Sequence, residues 1–437
     1  MSPLDLALLA VAAVGGLWIL EVTIRRSDVG ASLVLGLFVL ELFLPHVFLG
    51  TAVGPLNIFA SDLLIMVLLG AFVARMLRIP QLTNPQRLMV VFLLLVVWSM
   101  ARSLVDAESV EAVAGGRSYM RFISAALYFS TVEPNRELFD RIARLWLAAA
   151  TALCALVLVR WSANAVGLSG GLFGTGRNLR VIPSAGALLI AQGAILALPL
   201  IGRGSRPLLR WLAPAFLVFV VVLQHRTVWV VTALGAVYLL YRQRSLSKHV
   251  LGAIGAGLAL LAVLTFTVLD SHDLEVTESL AESAQNTDTF SWRAQGWRAL
   301  LRDSGPESAA EWIVGRPMAV GWDRTMIHGP AIVVVEVSPH NYYLEAVLRV
   351  GIVGLAAILA VYAMALRGTA SGFSDDRRTE QVFSSSALHV VIAMQLIYYL
   401  SYSNDAAQGL LLGLGCVLAA KAPSQLGQPL SALKARV

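Results

Sequence analysis

About thirteen apolar runs follow one another along this 437-residue chain, most of them long enough to cross a lipid bilayer as a helix. Nothing else in the sequence limits the fold so tightly. A hydrocarbon core about 30 Å thick is crossed by about 20 apolar residues in a helix. On that ruler the spans fall near 4–22, 30–48, 57–76, 88–105, 117–131, 143–160, 184–201, 211–224, 228–241, 250–269, 341–365, 386–402 and 405–420. The count drops to twelve if one short pair, within 211–241 or 386–420, is a single span. An open sheet leaves backbone groups unsatisfied in lipid, so the expectation is an all-α polytopic membrane protein. Composition agrees: 57% of residues are hydrophobic and 14% charged, whereas soluble domains are about 45–50% apolar and about 25% charged.

The segment "MSPLDLALLAVAAVGGLWILEVTIRR" lacks a basic leader region and a small-residue cleavage site, so it reads as the first span rather than a signal peptide. Cys154 and Cys416 lie in separate apolar runs and read as small core residues. The formal charge of +6 has no folded basic domain to hold it, which argues against a nucleic-acid partner. In a membrane protein, charge bears on which side each loop occupies.

Every second connection is arginine-rich: Arg25 and Arg26; Arg75, Arg78 and Arg87; Arg136, Arg141 and Arg144; Arg203, Arg206 and Arg210; Arg242, Arg244 and Lys248; Arg367, Arg377 and Arg378. The positive-inside rule makes these loops and the 421–437 tail cytoplasmic. The chain then divides into ten spans (1–269), a large outside loop (270–340) and the C-terminal spans (341–420). That loop carries amphipathic spacing at Trp292, Trp297, Leu300 and Leu301, so one or two helices lying on the membrane face are expected there. Loops longer than about 12–15 residues are usually functional or disordered.

Arginines on the outer side run against the charge rule, and they cluster. Arg177 and Arg180 lie in "GGLFGTGRNLRVIPSAG", Arg226 in the tight turn "LQHRTVW", and Arg293 in the large loop. Guanidinium forks bind phosphate oxygens bidentately and stay charged at any relevant pH. Arg117 and Arg121 read equally as interfacial anchors or site residues. Arg298, Arg302, Arg316 and Arg324 read as solvated, or paired with Glu307, Glu311 and Asp323. His340 follows Ser338 and Pro339 at the mouth of a span, with Asn341, Tyr342 and Tyr343 beside it. A neutral imidazole there can take a proton from an attacking hydroxyl, and His225 is its competitor as a base. Asp62 reads as a structural hydrogen-bond partner. No nucleotide-binding P-loop and no metal-ligand spacing is present, so no cofactor and no metal are expected.

The order of these features, "HRTVW", then "SWRAQGWRALL…VGRPMAVGWD", then "HNYYLEAVLRVGIVG", resembles the O-antigen ligase and Wzy-type polysaccharide polymerase superfamily. His340, Asn341, Tyr343, Leu344, Gly351 and Gly354 match its H-N-x-Y/F-L…G-x-x-G pattern, over a likeness covering residues 160 to 365. His225 stands where the family often has serine. The resemblance implies a GT-C-like membrane glycosyltransferase, metal-independent and inverting, with its site at the periplasmic face of the bacterial inner membrane. It implies a glycan donor on undecaprenyl diphosphate and a glycan or lipid-linked acceptor. His340 would be the general base, and Arg226, Arg177, Arg180 and Arg293 would hold the diphosphate. Asn341, Tyr343 and His225 would support them, and chain-length regulators and flippases become candidate partners. The expectation leans to an O-antigen or exopolysaccharide polymerase. The alternatives are a ligase acting on lipid A–core, a protein O-oligosaccharyltransferase, and a polysaccharide transporter or flippase without chemistry.

Overall fold

The computed structural model describes residues 3–44, 50–53, 56–78, 81–105, 109–165, 180–201, 207–243, 252, 255, 288–328, 331–370 and 382–426. They are mostly helical. The helices are α1 (Pro3–Arg25), α2 (Ser27–Phe43), α3 (Ala60–Met76), α4 (Asn84–Val105), α5 (Ser109–Ser130), α6 (Arg136–Ala165), α7 (Ser184–Ile201), α8 (Pro207–Val222), α9 (Arg226–Arg242), α10 (Asp288–Ser304), α11 (Ala309–Val314), α12 (Tyr342–Ala370), α13 (Ser385–Tyr398) and α14 (Ala406–Leu426). Twelve of the expected spans coincide with helices; the span at 250–269, apart from residues 252 and 255, lies outside the described residues, as does the start of the large loop.

Four helices among the described residues, Asn84–Val105, Arg136–Asn164, Ser184–Ile201 and Tyr342–Ala370, are long and apolar enough to cross a membrane. Exposed apolar side chains on α3, α4, α8 and α9 fit lipid. Met66, Leu94, Trp211 and Val237 are each more than half exposed, spread over four helices, a pattern that water would penalise. The protein is an all-helical membrane protein in its main body, with one qualification. Two short antiparallel hairpins, β1 (Gly50–Val53) with β2 (Leu56–Phe59) and β3 (Arg324–His328) with β4 (Ala331–Val335), lie in connections. The third span therefore starts at Ala60 rather than 57, where Asp62 accepts the Phe59 N–H at 2.9 Å.

Among the described residues, arginines of the α1–α2 junction, the end of α3, the start of α6 and the end of α9 lie at one end, the basic end. There Arg75 donates to Thr23 O and Ile24 O on α1 and to Thr131 Oγ1 after α5. Asp140 on α6 accepts the Val382 and Phe383 N–H groups ahead of α13, and Arg242 reaches Ala370 O. α14 runs parallel to α12, and its last turns meet α12 at this end, where a side chain on Gly368 would strike Ala419. Along α5, α14 presents Gly409 and Gly413, where a Cβ would lie 2.1 Å from Phe122 O and 2.6 Å from Ala126 O. Without a hydrophobic drive between helices in lipid, such small-residue contact is what associates them.

At the opposite end, the segment around 315–319 seats between α4 and α12. Arg316 N–H donates to Leu348 O at 2.7 Å, Met318 N–H to Ser99 O at 3.1 Å, and Ser99 Oγ to Arg316 O at 2.7 Å. α12 breaks to receive it. Gly351 (φ 71°, ψ −178°) interrupts the helix, and Gly315 (φ 82°, ψ 175°) meets it backbone to backbone. Only glycine adopts that region readily. The break opens the helical ladder near Leu348 O, which is the carbonyl the Arg316 N–H takes up.

Candidate active site

The short first piece of α12 is positioned from both sides. Asn341 caps it, its Oδ1 accepting the Leu344 N–H at 3.1 Å. Tyr342 N–H donates to Tyr399 O at 2.9 Å, and the Tyr343 hydroxyl donates to Leu396 O. Asn341 and Tyr343, expected as supporting residues, thus hold the helix start and dock it on α13.

His340 precedes this cap in the left-handed conformation, φ 49°. Histidine tolerates that region better than most residues. The turn is pinned: Trp297 Nε1 donates to Pro339 O at 2.7 Å, and His340 N–H donates to Ser338 Oγ at 3.3 Å. Ser338 Oγ in turn donates to the buried Glu345 carboxylate, which also accepts from Ser403 Oγ at 2.8 and 2.9 Å. Sequence reasoning missed Glu345. It lies inside the "HNYYLE" stretch, and an acid one turn into an apolar helix was the available signal.

The imidazole of His340 is exposed. Its partial desolvation, and then the nearby charges of Arg293 and Arg324, push its pKa below the ordinary histidine value. Both effects disfavour imidazolium, so at neutral pH the ring is free to accept a proton. Arg293, half-buried on α10, lies over the Tyr402 ring, 5.4 Å from its centroid. Tyr402 stacks on Tyr398 at 4.8 Å, and the Tyr398 hydroxyl meets Ser184 Oγ at 3.0 Å.

From Ser184 the contacts continue to the second group. His225 Nε2 meets Ile182 O at 2.9 Å, two residues before Ser184. A carbonyl only accepts, so Nε2 carries the proton, and that nitrogen is not available as a base. Burial, with a contribution from Arg180, pushes the His225 pKa down. Arg180 is exposed, and Arg226, half-buried, opens α9. A chain of contacts thus connects His340 and Arg293 to Ser184, and through Ile182 to Arg180 and the His225–Arg226 turn, all at the end opposite the basic one. Arg177 lies outside the described residues.

The remaining outer arginines divide. Arg117 pairs with Asp62 at 2.7 Å and Arg121 with Glu41 at 3.1 Å, so both tie helices together. Asp62 is the structural partner expected of it. Arg302 pairs with Asp303 at 2.6 Å and Arg298 is exposed. Arg316 and Arg324 correct the sequence reading: they are buried, not solvated. Arg316 donates to Ser304 O, and Arg324 donates to Trp322 O at 3.1 Å and Val337 O at 2.7 Å. Main-chain carbonyls, unseen in a residue pattern, take their hydrogen bonds, while Glu311 and Glu307 act on Arg316 through charge. No group of three or more His, Cys, Asp or Glu side chains suited to a metal occurs among the described residues.

A scan against family models finds no match for the chain, and a search of curated proteins returns none either.

Proposed function

We propose that the protein is a membrane glycan transferase that moves a glycan from undecaprenyl diphosphate onto an acceptor sugar hydroxyl. The observation that carries this reading is His340, an exposed imidazole kept neutral in a pinned left-handed turn and flanked by Arg293 and Arg324. The resemblance of "HNYYLEAVLRVGIVG" to the ligase and polymerase superfamily supports it. In the reaction, His340 takes the acceptor hydroxyl proton while that oxygen attacks the anomeric carbon. The bond to the diphosphate oxygen breaks on the opposite face, which inverts the anomeric centre. Arg293, Arg180 and Arg226, with Arg177, balance the charge on the departing diphosphate. That anion is already a good leaving group, so positioning and charge stabilisation are what the protein has to supply.

In this reading the scaffold is GT-C-like, the loop end faces the periplasm, and the basic end and C-terminus face the cytoplasm of a bacterial inner-membrane protein. The acceptor is another lipid-linked repeat, making the protein an O-antigen or exopolysaccharide polymerase. Deleting the gene and analysing lipid-linked glycans tests this directly. Accumulation of single lipid-linked repeats is expected. Accumulated long chains on the carrier would replace polymerase with ligase, and an unchanged glycan profile would sink the proposal.

The charge environment of His340 gives a second expectation. The base works only when deprotonated, so the rate falls on the acid side, with its midpoint below about 6.5, the ordinary histidine value. Removing a neighbouring cation favours imidazolium, so Arg293→Gln should move that midpoint upward. The readout is the pH profile of transfer by purified protein; a midpoint that stays put or falls would separate Arg293 from His340.

A further inference from the structure

The basic end contains a cavity of about 430 Å³ that takes no part in the proposed transfer. Its wall comes from three places in the sequence: the α1–α2 junction, the C-terminal end of α3, and the connection from α5 into α6. Arg25, Arg26, Arg75, Arg78 and Arg141 converge on it, against Asp28 and Glu133. Counting Glu21 and Glu137, which pair with Arg25 and Arg141 from beside the wall, five formal positive charges face four negative, an excess of one.

These arginines differ in their commitments. Arg75 is structural, spending its donors on α1 carbonyls and lying 4.4 Å from the Tyr128 ring centroid. Arg25 and Arg141 are held by exposed i,i+4 pairs with Glu21 and Glu137, while the half-buried Asp28 pairs with Arg26 at 2.9 Å and lies 3.7 Å from Arg141. Exposed pairs of this kind are worth at most about 1 kcal/mol and exchange readily. The guanidinium of Arg78 is exposed and makes no hydrogen bond or ion pair among the described residues. The next residue back is Leu77, 85% exposed at the end of α3. An arginine-lined cavity therefore opens beside an apolar side chain on the outer surface.

We propose that this cavity binds the phosphate headgroup of an anionic membrane lipid. The phosphate sits among Arg26, Arg78 and Arg141, and the acyl chains lie along the apolar surface beside Leu77. Basic pockets between helices hold anionic headgroups by this combination of charge and shelter. A free phosphate would satisfy the arginines equally but would make no use of the exposed Leu77.

The test uses the full chain purified in detergent, with the thermal unfolding midpoint followed against added lipid. Phosphatidylglycerol should raise the midpoint saturably, and phosphatidylcholine with the same acyl chains should not. In the double variant Arg78→Gln/Arg141→Gln, half-saturation should need about 25-fold more phosphatidylglycerol, each basic side chain at an anionic surface contributing about five-fold. Arg87→Gln removes a charge from the same end but outside the cavity, and should leave the titration unchanged. An equal response to phosphatidylcholine would overturn the proposal, as would an equal loss in Arg87→Gln, which would mean diffuse attraction. A shift produced by inorganic phosphate and not by phosphatidylglycerol would overturn the lipid assignment.

Discussion

His340→Ala should abolish glycan transfer while leaving the protein inserted and at normal abundance. A positioned general base contributes about 10²–10⁴-fold, and in the proposed reaction no second base stands ready. His225 has its Nε2 committed to Ile182 O. The substitution removes an exposed ring and keeps the main-chain N–H that donates to Ser338. The turn at 338–341 and the Asn341 cap should therefore persist. Membranes carrying the variant are assayed for transfer from a lipid-linked donor and for protein level by immunoblot. Full activity would remove His340 from the chemistry. Lost activity together with lost protein would assign it to folding instead.

Gly351→Ala should cause the largest loss of stability of any single methyl addition considered. At φ 71°, ψ −178° a non-glycine residue costs about 1–3 kcal/mol. The new Cβ would also stand 2.1 Å from Ile313 O and 2.5 Å from Val314 N, backbone atoms that have no side-chain freedom with which to yield. Either α11 shifts or α12 straightens, and both remove the 315–319 segment from its seat. Gly36→Ala is the control, since a Cβ there meets nothing within 4 Å. The thermal midpoint in detergent should drop for Gly351→Ala and hold for Gly36→Ala. Equal midpoints would mean that the crossing at Gly351 is not a tight one.

The helical body was legible because lipid leaves a chain few options: a run of about 20 apolar residues must satisfy its own backbone. Boundaries were less so. α6 begins at Arg136 rather than 143 because Arg141 and Arg144 find acids one turn back, extending the helix beyond its apolar run. The hairpins were missed although "AIVVVEV" is rich in β-branched residues, the usual strand signal. For the candidate site, the charge alternation put His340, Arg180, Arg226 and Arg293 on one side, and the structure places them at one end. The partners were not legible: Glu345 accepts from Ser338 and Ser403, and Arg316 and Arg324 donate to Ser304 O and Val337 O, pairings 7 to 58 residues apart that a residue pattern does not record.

The seat between α4 and α12 also sets a timetable. Ser99 and its partner Arg316 are 217 residues apart, and Arg102 waits nearly as long for Gly315 O. At a synthesis rate of about 5–20 residues per second, the ribosome needs roughly 10–40 s to make that distance. During the interval α4 is in the membrane while the segment that completes its last turns does not yet exist. Its polar groups, Ser99, Arg102 and Ser103, all fall within the final two turns, where an arginine can reach the interface and wait in water. The seat at the loop end thus stays open until the emerging α12 supplies Leu348 and Gly351.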